Sequence, residues 1–217
     1  MALNINGTTG ISGVDGSVSA PALTGTDSNT GITFPSADTI KFSTGGVERM
    51  AITNSGVTGV GKILQVVSAQ KTDTFSSSAT SQFITVSGLT INITPSSSSN
   101  KVFICFNMNI GHSGTGTGIG GKIFRSSDSQ NILRAPADGN RTRSYLAQFT
   151  CHSNTNNTSR FVSPCFLDSP SSTSQVSYTF QVYNSGGTVF INRTGEDIDN
   201  QANPRGCSFA YAMEVAA

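Results

Sequence analysis

The chain has 217 residues, a net charge of +1, 12% charged residues, 23 glycines and no tryptophan. A near-neutral surface offers no electrostatic footing for DNA, RNA or an acidic membrane, and no apolar run reaches the roughly 20 residues that span a bilayer. Serine and threonine supply about a quarter of the residues, above globular usage, while the low charge separates the chain from ordinary disordered polypeptides.

The opening MALNINGTTG lacks the basic start and apolar stretch of a secretory signal, which predicts synthesis in a cytosol or delivery by something other than that pathway. Residues 1–15 hold few core-forming side chains and are expected to anchor the chain on another protein. From 16 to 61, short segments alternate polar and apolar residues between Gly, Ser and Asn. Residues 39–43 and 47–52 read as strands on this ground. Their few large side chains cannot offset roughly 1–2 kcal/mol of backbone entropy per ordered residue. The region is therefore expected to order only by wrapping around copies of itself or by docking on a partner.

Composition changes at Gly59–Lys62, and longer apolar runs follow. Strands are predicted at 62–70, 82–93, 101–110, 120–125, 144–151, 160–167, 175–183, 188–193 and 207–215. β-Branched and aromatic residues dominate them, and Ser/Asn/Gly/Pro clusters join them; no helical period appears. Val102, Ile104, Phe106, Met108 and Ile110 share one face, as do Val176, Tyr178, Phe180 and Val182. In the last strand, Phe209, Tyr211, Met213 and Val215 are read as the inward set, opposite Ala210, Ala212 and Glu214. Those two alanines either admit a neighbouring sheet or sit under a loop. The pattern predicts an all-β chain whose second part, 62–217, is a jelly-roll-like sandwich.

Chemistry-bearing residues are sparse. Cys105, Cys151, Cys165 and Cys207 form no CxxC pair and no zinc spacing, and in a cytosol they are expected as buried thiols. The Asn-x-Ser/Thr sites at Asn6, Asn92, Asn156, Asn157 and Asn192 are ordinary for so hydroxyl-rich a chain. His112 and His152 are expected in solvated loops rather than on a metal. Residues 114–121 carry a GxGxxG-like spacing without a following helix, so they read as a hairpin loop and not a dinucleotide site. Glu196, Asp197 and Asp199 are expected to pair with Arg193 and Arg205 rather than bind calcium. No carboxylate pair of glycosidase type is evident, no cofactor is implied, and the chain is not expected to be an enzyme. The loop 134–143 (RAPADGNRTR), with Asn140, Arg141, Arg143, the adjacent Tyr145 and Asn154–Asn157 nearby in sequence, offers planar donors and amides suited to sugar hydroxyls or anionic groups. A solvent-facing contact with another subunit is the alternative reading.

The wording of 16–61 resembles the shafts of bacteriophage tail fibres and other virion appendages, marine phages in particular. The motifs are Pro21–Leu23, Gly25–Ile32, Phe34–Asp38 and Thr44–Arg49. The second part resembles the C-terminal heads of such fibres in its entry KILQVV, in Thr72–Phe75, in a turn at 166–170 and in the closing MEVAA. The resemblance implies a homotrimer with three parts: an anchor on another virion protein (1–15), a short intertwined β shaft (16–61) and a β-sandwich head (62–217). It implies assembly in the bacterial cytoplasm, location on the virion and adhesion to a host-surface glycan or protein. A capsid-decorating head fibre is the alternative, and a glycan depolymerase a lesser one.

Overall fold

A computed structural model describes residues 4–6, 10–12, 15–59, 63–113, 118–149, 158–201 and 203–217. The chain divides into two compact units, Met1–Gly61 and Lys62–Ala217, and strands are the sole regular elements among the described residues. Most of the expected anchor, together with Cys151, His152 and Asn154–Asn157, lies outside those residues.

In the first unit, β1 (Asn4–Asn6) pairs with β2 (Gly10–Ser12), and β3 (Gly16–Ser17) with β4 (Ala20–Pro21). A five-stranded antiparallel meander follows: β5 (Leu23–Thr24), β6 (Gly31–Thr33), β7 (Ile40–Thr44), β8 (Val47–Thr53) and β9 (Gly56–Thr58). Gly45 and Gly46 join β7 to β8 with φ of 59° and 73°, a two-residue hairpin turn that demands positive φ at both central positions. The loop before β6 closes on itself, with Thr30 Oγ1 donating to Asp27 Oδ2 at 2.7 Å and Thr24 Oγ1 to the Thr30 carbonyl at 2.9 Å. Pro21 and Ala51 are the buried apolar residues of this unit among those described. Leu23, Phe34, Val47, Ile52 and Val57 are exposed.

The second unit is a two-sheet sandwich. Its first sheet runs β10 (Ile63–Lys71), β21 (Ser208–Val215), β13 (Lys101–His112), β20 (Val189–Ile191) and β11 (Phe75–Ser77). The other edge of β13 carries β17 (Ser159–Val162) and β18 (Cys165–Asp168). The second sheet runs β12 (Gln82–Ile93), β19 (Val176–Asn184), β14 (Ile119–Arg125) and β15 (Gln130–Leu133), with β16 (Leu146–Phe149) also on β14. The chain crosses between the sheets from β11 to β12, β12 to β13, β13 to β14, β16 to β17, β18 to β19 and β19 to β20. This repeated alternation is the winding of a jelly roll.

The core forms where the inner faces meet. Val102, Ile104, Phe106, Met108 and Ile110 of β13 face Val176, Tyr178, Phe180 and Val182 of β19, all buried. Asp168 ties the sheets together at one end, accepting from Tyr178 Oη at 2.8 Å and from Arg125 Nη1 at 2.6 Å. Burial and the Asp168 charge push the Tyr178 phenol far above its ordinary range, so it stays a neutral donor.

Several sequence expectations are corrected. β21 faces the other way: Ser208, Ala210, Ala212 and Glu214 are buried, while Phe209 is 40% exposed and Tyr211, Met213 and Val215 are half-buried. The sheets approach closely over the alanines, and Glu214 is drawn inward by hydrogen bonds. Ala210 and Ala212 therefore lie in the core and do not admit a neighbouring chain. The 160–167 strand is two strands, since Ser163 and Pro164 interrupt pairing, and the supposed turn at 166–170 begins only after Asp168. Ile119–Gly121 are strand rather than hairpin loop, and 114–117 lie outside the described residues. Cys105 and Cys165 are not thiols but a disulfide, directly opposite across β13 and β18 with Cα atoms 4.2 Å apart. The pairing register creates this contact, which residue spacing conceals. Cys207 is free and exposed.

Candidate functional site

The edge of the second sheet positions a cleft. β15 and β16 both pair with the same edge of β14, so the segment joining them, residues 134–145, arches beside the start of β14. Ser144 fastens it: its Oγ accepts from the Gly121 amide at 2.7 Å and donates to the Gly121 carbonyl at 2.7 Å. The Tyr145 amide donates to the same carbonyl at 2.8 Å. Gly120 makes the docking possible, because a Cβ there would stand 2.7 Å from Ser144 Oγ. Within the arch, the Arg141 amide closes a turn on the Asp138 carbonyl at 3.2 Å, and Arg143 Nε holds the Ala135 carbonyl at 2.8 Å.

The resulting open cleft of about 680 Å³ has Ile119, Leu146 and Tyr183 toward the sheet, and Asp138, Arg141 and Tyr145 on the arch. Arg141 and Asp138 form an exposed ion pair, so the cleft presents donors and acceptors side by side with no net charge. Tyr145 is 42% exposed. Tyr183 packs against Phe83, ring centroids 5.4 Å apart. Beyond them, Lys122 lies over the Phe83 ring at 3.9 Å; burial, and then the like charge of Arg134, lower its pKa. Aromatic faces beside planar polar groups suit the apolar faces and hydroxyls of a sugar ring.

Of the four residues singled out from sequence, Arg141 and Tyr145 line the cleft. Asn140 is exposed on the arch and does not line it, and Arg143 is turned to the arch's own backbone. Sequence reasoning missed Asp138, Ser144 and Tyr183. Tyr183 had a usable signal, since its neighbour Val182 belongs to the inward set and alternation turns position 183 outward.

Other candidates resolve into structure. His112 is buried, not solvated; its Nε2 lies 3.0 Å from Asn184 Oδ1. Asp197 pairs with Arg205 at 2.9 Å and with Arg193 at 3.6 Å, and the Arg205 hydrogen bond lowers its pKa. Among the described residues no group of three His, Cys, Asp or Glu could hold a metal ion. The cleft lining contains one carboxylate, Asp138, where glycoside hydrolysis ordinarily uses two.

No protein-family model matches the chain, and no curated protein matches it in sequence. Among solved structures, it is similar to a chain of the infectious bursal disease virus Gt strain. The TM-score is 0.38 and the identity 14%, over 70% of this chain and 37% of that one. It is also similar to the VP2 subviral particle of the same virus. There the TM-score is 0.38 and the identity 11%, over 82% of this chain and 48% of that one. The chain thus spans less than half the length of these proteins, and likeness this distant carries no functional argument.

Proposed function

We propose that the chain is a non-enzymatic structural protein of a virus particle: a short homotrimeric fibre of bacteriophage type. Its first unit is the shaft, its second the head that adheres to the host surface, and residues 1–15 dock on another virion protein. The observation that carries this reading is the first unit itself. A unit whose buried apolar residues, among those described, are Pro21 and Ala51, with Val47, Ile52 and Val57 exposed, lacks the core to stabilise itself, and copies wound about one axis supply it. The fibre-like wording of 16–61 supports the same conclusion. The disulfide fits a protein that works outside the cell, in an oxidising medium. Adhesion through the cleft is multivalent, several modest contacts per particle raising avidity without any strong single one.

Native mass of the full chain tests the fibre. A mass near three times 22.5 kDa is expected, and a single-chain mass at micromolar concentration overturns it. Antibody labelling of particles then separates a tail fibre from one that decorates the capsid.

A further inference from the structure

The two outer faces of the sandwich differ in a way that alternation alone does not explain. An antiparallel sheet with one wet face normally turns polar residues toward water. The second sheet largely obeys, presenting Thr85, Thr90, Ser177 and Gln181 outward, with Gln181 Nε2 donating to Thr85 Oγ1 at 3.1 Å; its outward aromatic pair, Phe83 and Tyr183, carries the Lys122 ammonium over the Phe83 ring. The first sheet does not. Val66 of β10 is opposite Met213 of β21, Met213 opposite Phe103 of β13, and Phe103 opposite Leu167 of β18. This puts an unbroken apolar row across four neighbouring strands, with Val66 58% and Leu167 45% exposed. The next row holds Ser68, Tyr211 and the disulfide, and the one beyond it Gln70, Phe209 and Asn107.

We infer that this outer face of the first sheet is where the heads of neighbouring copies of this chain meet. Three observations select a second copy as occupant. First, the paired positions of these three rows hold no charged residue; Lys101, opposite Val215 in the row before them, lies at the margin. Nucleic acid or an acidic lipid surface therefore has nothing to hold, and a charged protein patch has no complement. Second, a flat antiparallel face packs best on another sheet, about 10 Å away and nearly aligned, and every copy carries one. Third, four strands spaced at about 4.8 Å and seven residues rising about 3.4 Å each give a footprint of roughly 450 Å². That is about half of the roughly 800 Å² per partner of a standard-size interface, the share its apolar centre supplies. Closed symmetry then leaves no such face in water. The inference deepens the fibre reading and rests on it for the number of copies; the face itself is argued from the head alone.

Oxidative footprinting of the full chain tests it. Met213 is the probe and Met108, fully buried in the core, the internal standard. In the assembled protein Met213 should oxidise roughly tenfold more slowly than in chains diluted to dissociation. The double variant V66K/L167K should restore fast oxidation even where the shaft still holds the copies together. A multimer in which Met213 reacts as fast as in dissociated chains overturns the face and leaves the fibre standing. A monomer at all concentrations overturns both, and Met213 protected within a monomer shows that the chain covers its own face, which also overturns the inference. If the variant fails to fold, the dilution series on the unaltered chain still decides.

Discussion

Glu214 shows how a single side chain can hold a strand end. It is 1% exposed, and its carboxylate accepts from Gln65 Nε2, the Ser96 amide and Asn100 Nδ2, each at 2.6 Å, and from Ser96 Oγ at 2.7 Å. Burial raises its pKa, but these donors outweigh burial and hold it at about 2. The folded value is depressed, so the stabilisation is present above the ordinary carboxylate range and is lost as pH falls from about 4.5 toward 2. The shift corresponds to roughly 3 kcal/mol. Urea titrations between pH 7 and pH 2 should show that loss in the native protein and a flatter profile in Glu214→Gln, which is already destabilised at pH 7. Equal profiles would remove Glu214 from acid sensitivity. Asn192 plays a parallel role beneath the first sheet. It sits fully buried at φ 65°, donating to the Lys71 and Asp73 carbonyls at 2.9 and 2.8 Å and accepting from Ser208 Oγ at 2.6 Å. Asn192→Ala strands three partners, two of them in the buried residues Lys71 and Ser208, and should cost roughly 2–4 kcal/mol in chemical denaturation. That burial also closes its glycosylation sequence to any enzyme.

At the scale of elements, β13 and β19 were legible from sequence because an apolar side chain stands at every second position: polar residues separate them in most of β19, and in β13 five in a row outweigh Phe103 on the other face. β21 was not. It carries bulky residues on one face and alanines on the other, and the usual rule of large inside, small outside inverts when two sheets close over the alanines. What decided the matter was Glu214, whose partners lie in β10 and in the loop before β13, and no local pattern announces them. The disulfide was hidden for the same reason, being a product of register between β13 and β18. It closes a loop across a sequence separation of 60 residues, so reduction should lower stability by roughly 4 kcal/mol on chain-entropy grounds. Thermal unfolding with and without reductant measures this, and an unchanged midpoint would mean that packing around Cys105 suffices. In the cleft, the arginine-rich loop was visible as a candidate, whereas its fastening through Ser144 and Gly120 was not, because both act through a contact 23 residues apart. Gly120→Ala should displace the arch and weaken adhesion while leaving the core midpoint within about 1 kcal/mol.

At the scale of the whole molecule, the boundary at Gly61 was written in composition: short Gly-bounded strands before it, long apolar runs after. Assembly is the property composition cannot state, yet it governs how adhesion responds to mutation. If the cleft is the adhesive site proposed above, its openness and its internal ion pair make each head a modest binder. Removing Tyr145 or Arg141 should weaken a single site about tenfold, equivalent to 1.4 kcal/mol. A particle engaging three heads of one fibre at once adds those losses as free energies, so its adsorption should fall roughly a thousandfold. Fibres mixed from native and Tyr145→Ala chains should give graded intermediates in step with their composition. Because the cleft and the chain are close to neutral, adsorption by the native particle should change little between low and high salt. Adsorption measured across such a mixed series therefore reads valency directly: a drop of only tenfold in the fully altered particle would mean that one head at a time makes contact. A steep salt dependence would move the binding surface from the cleft to a basic patch elsewhere on the particle.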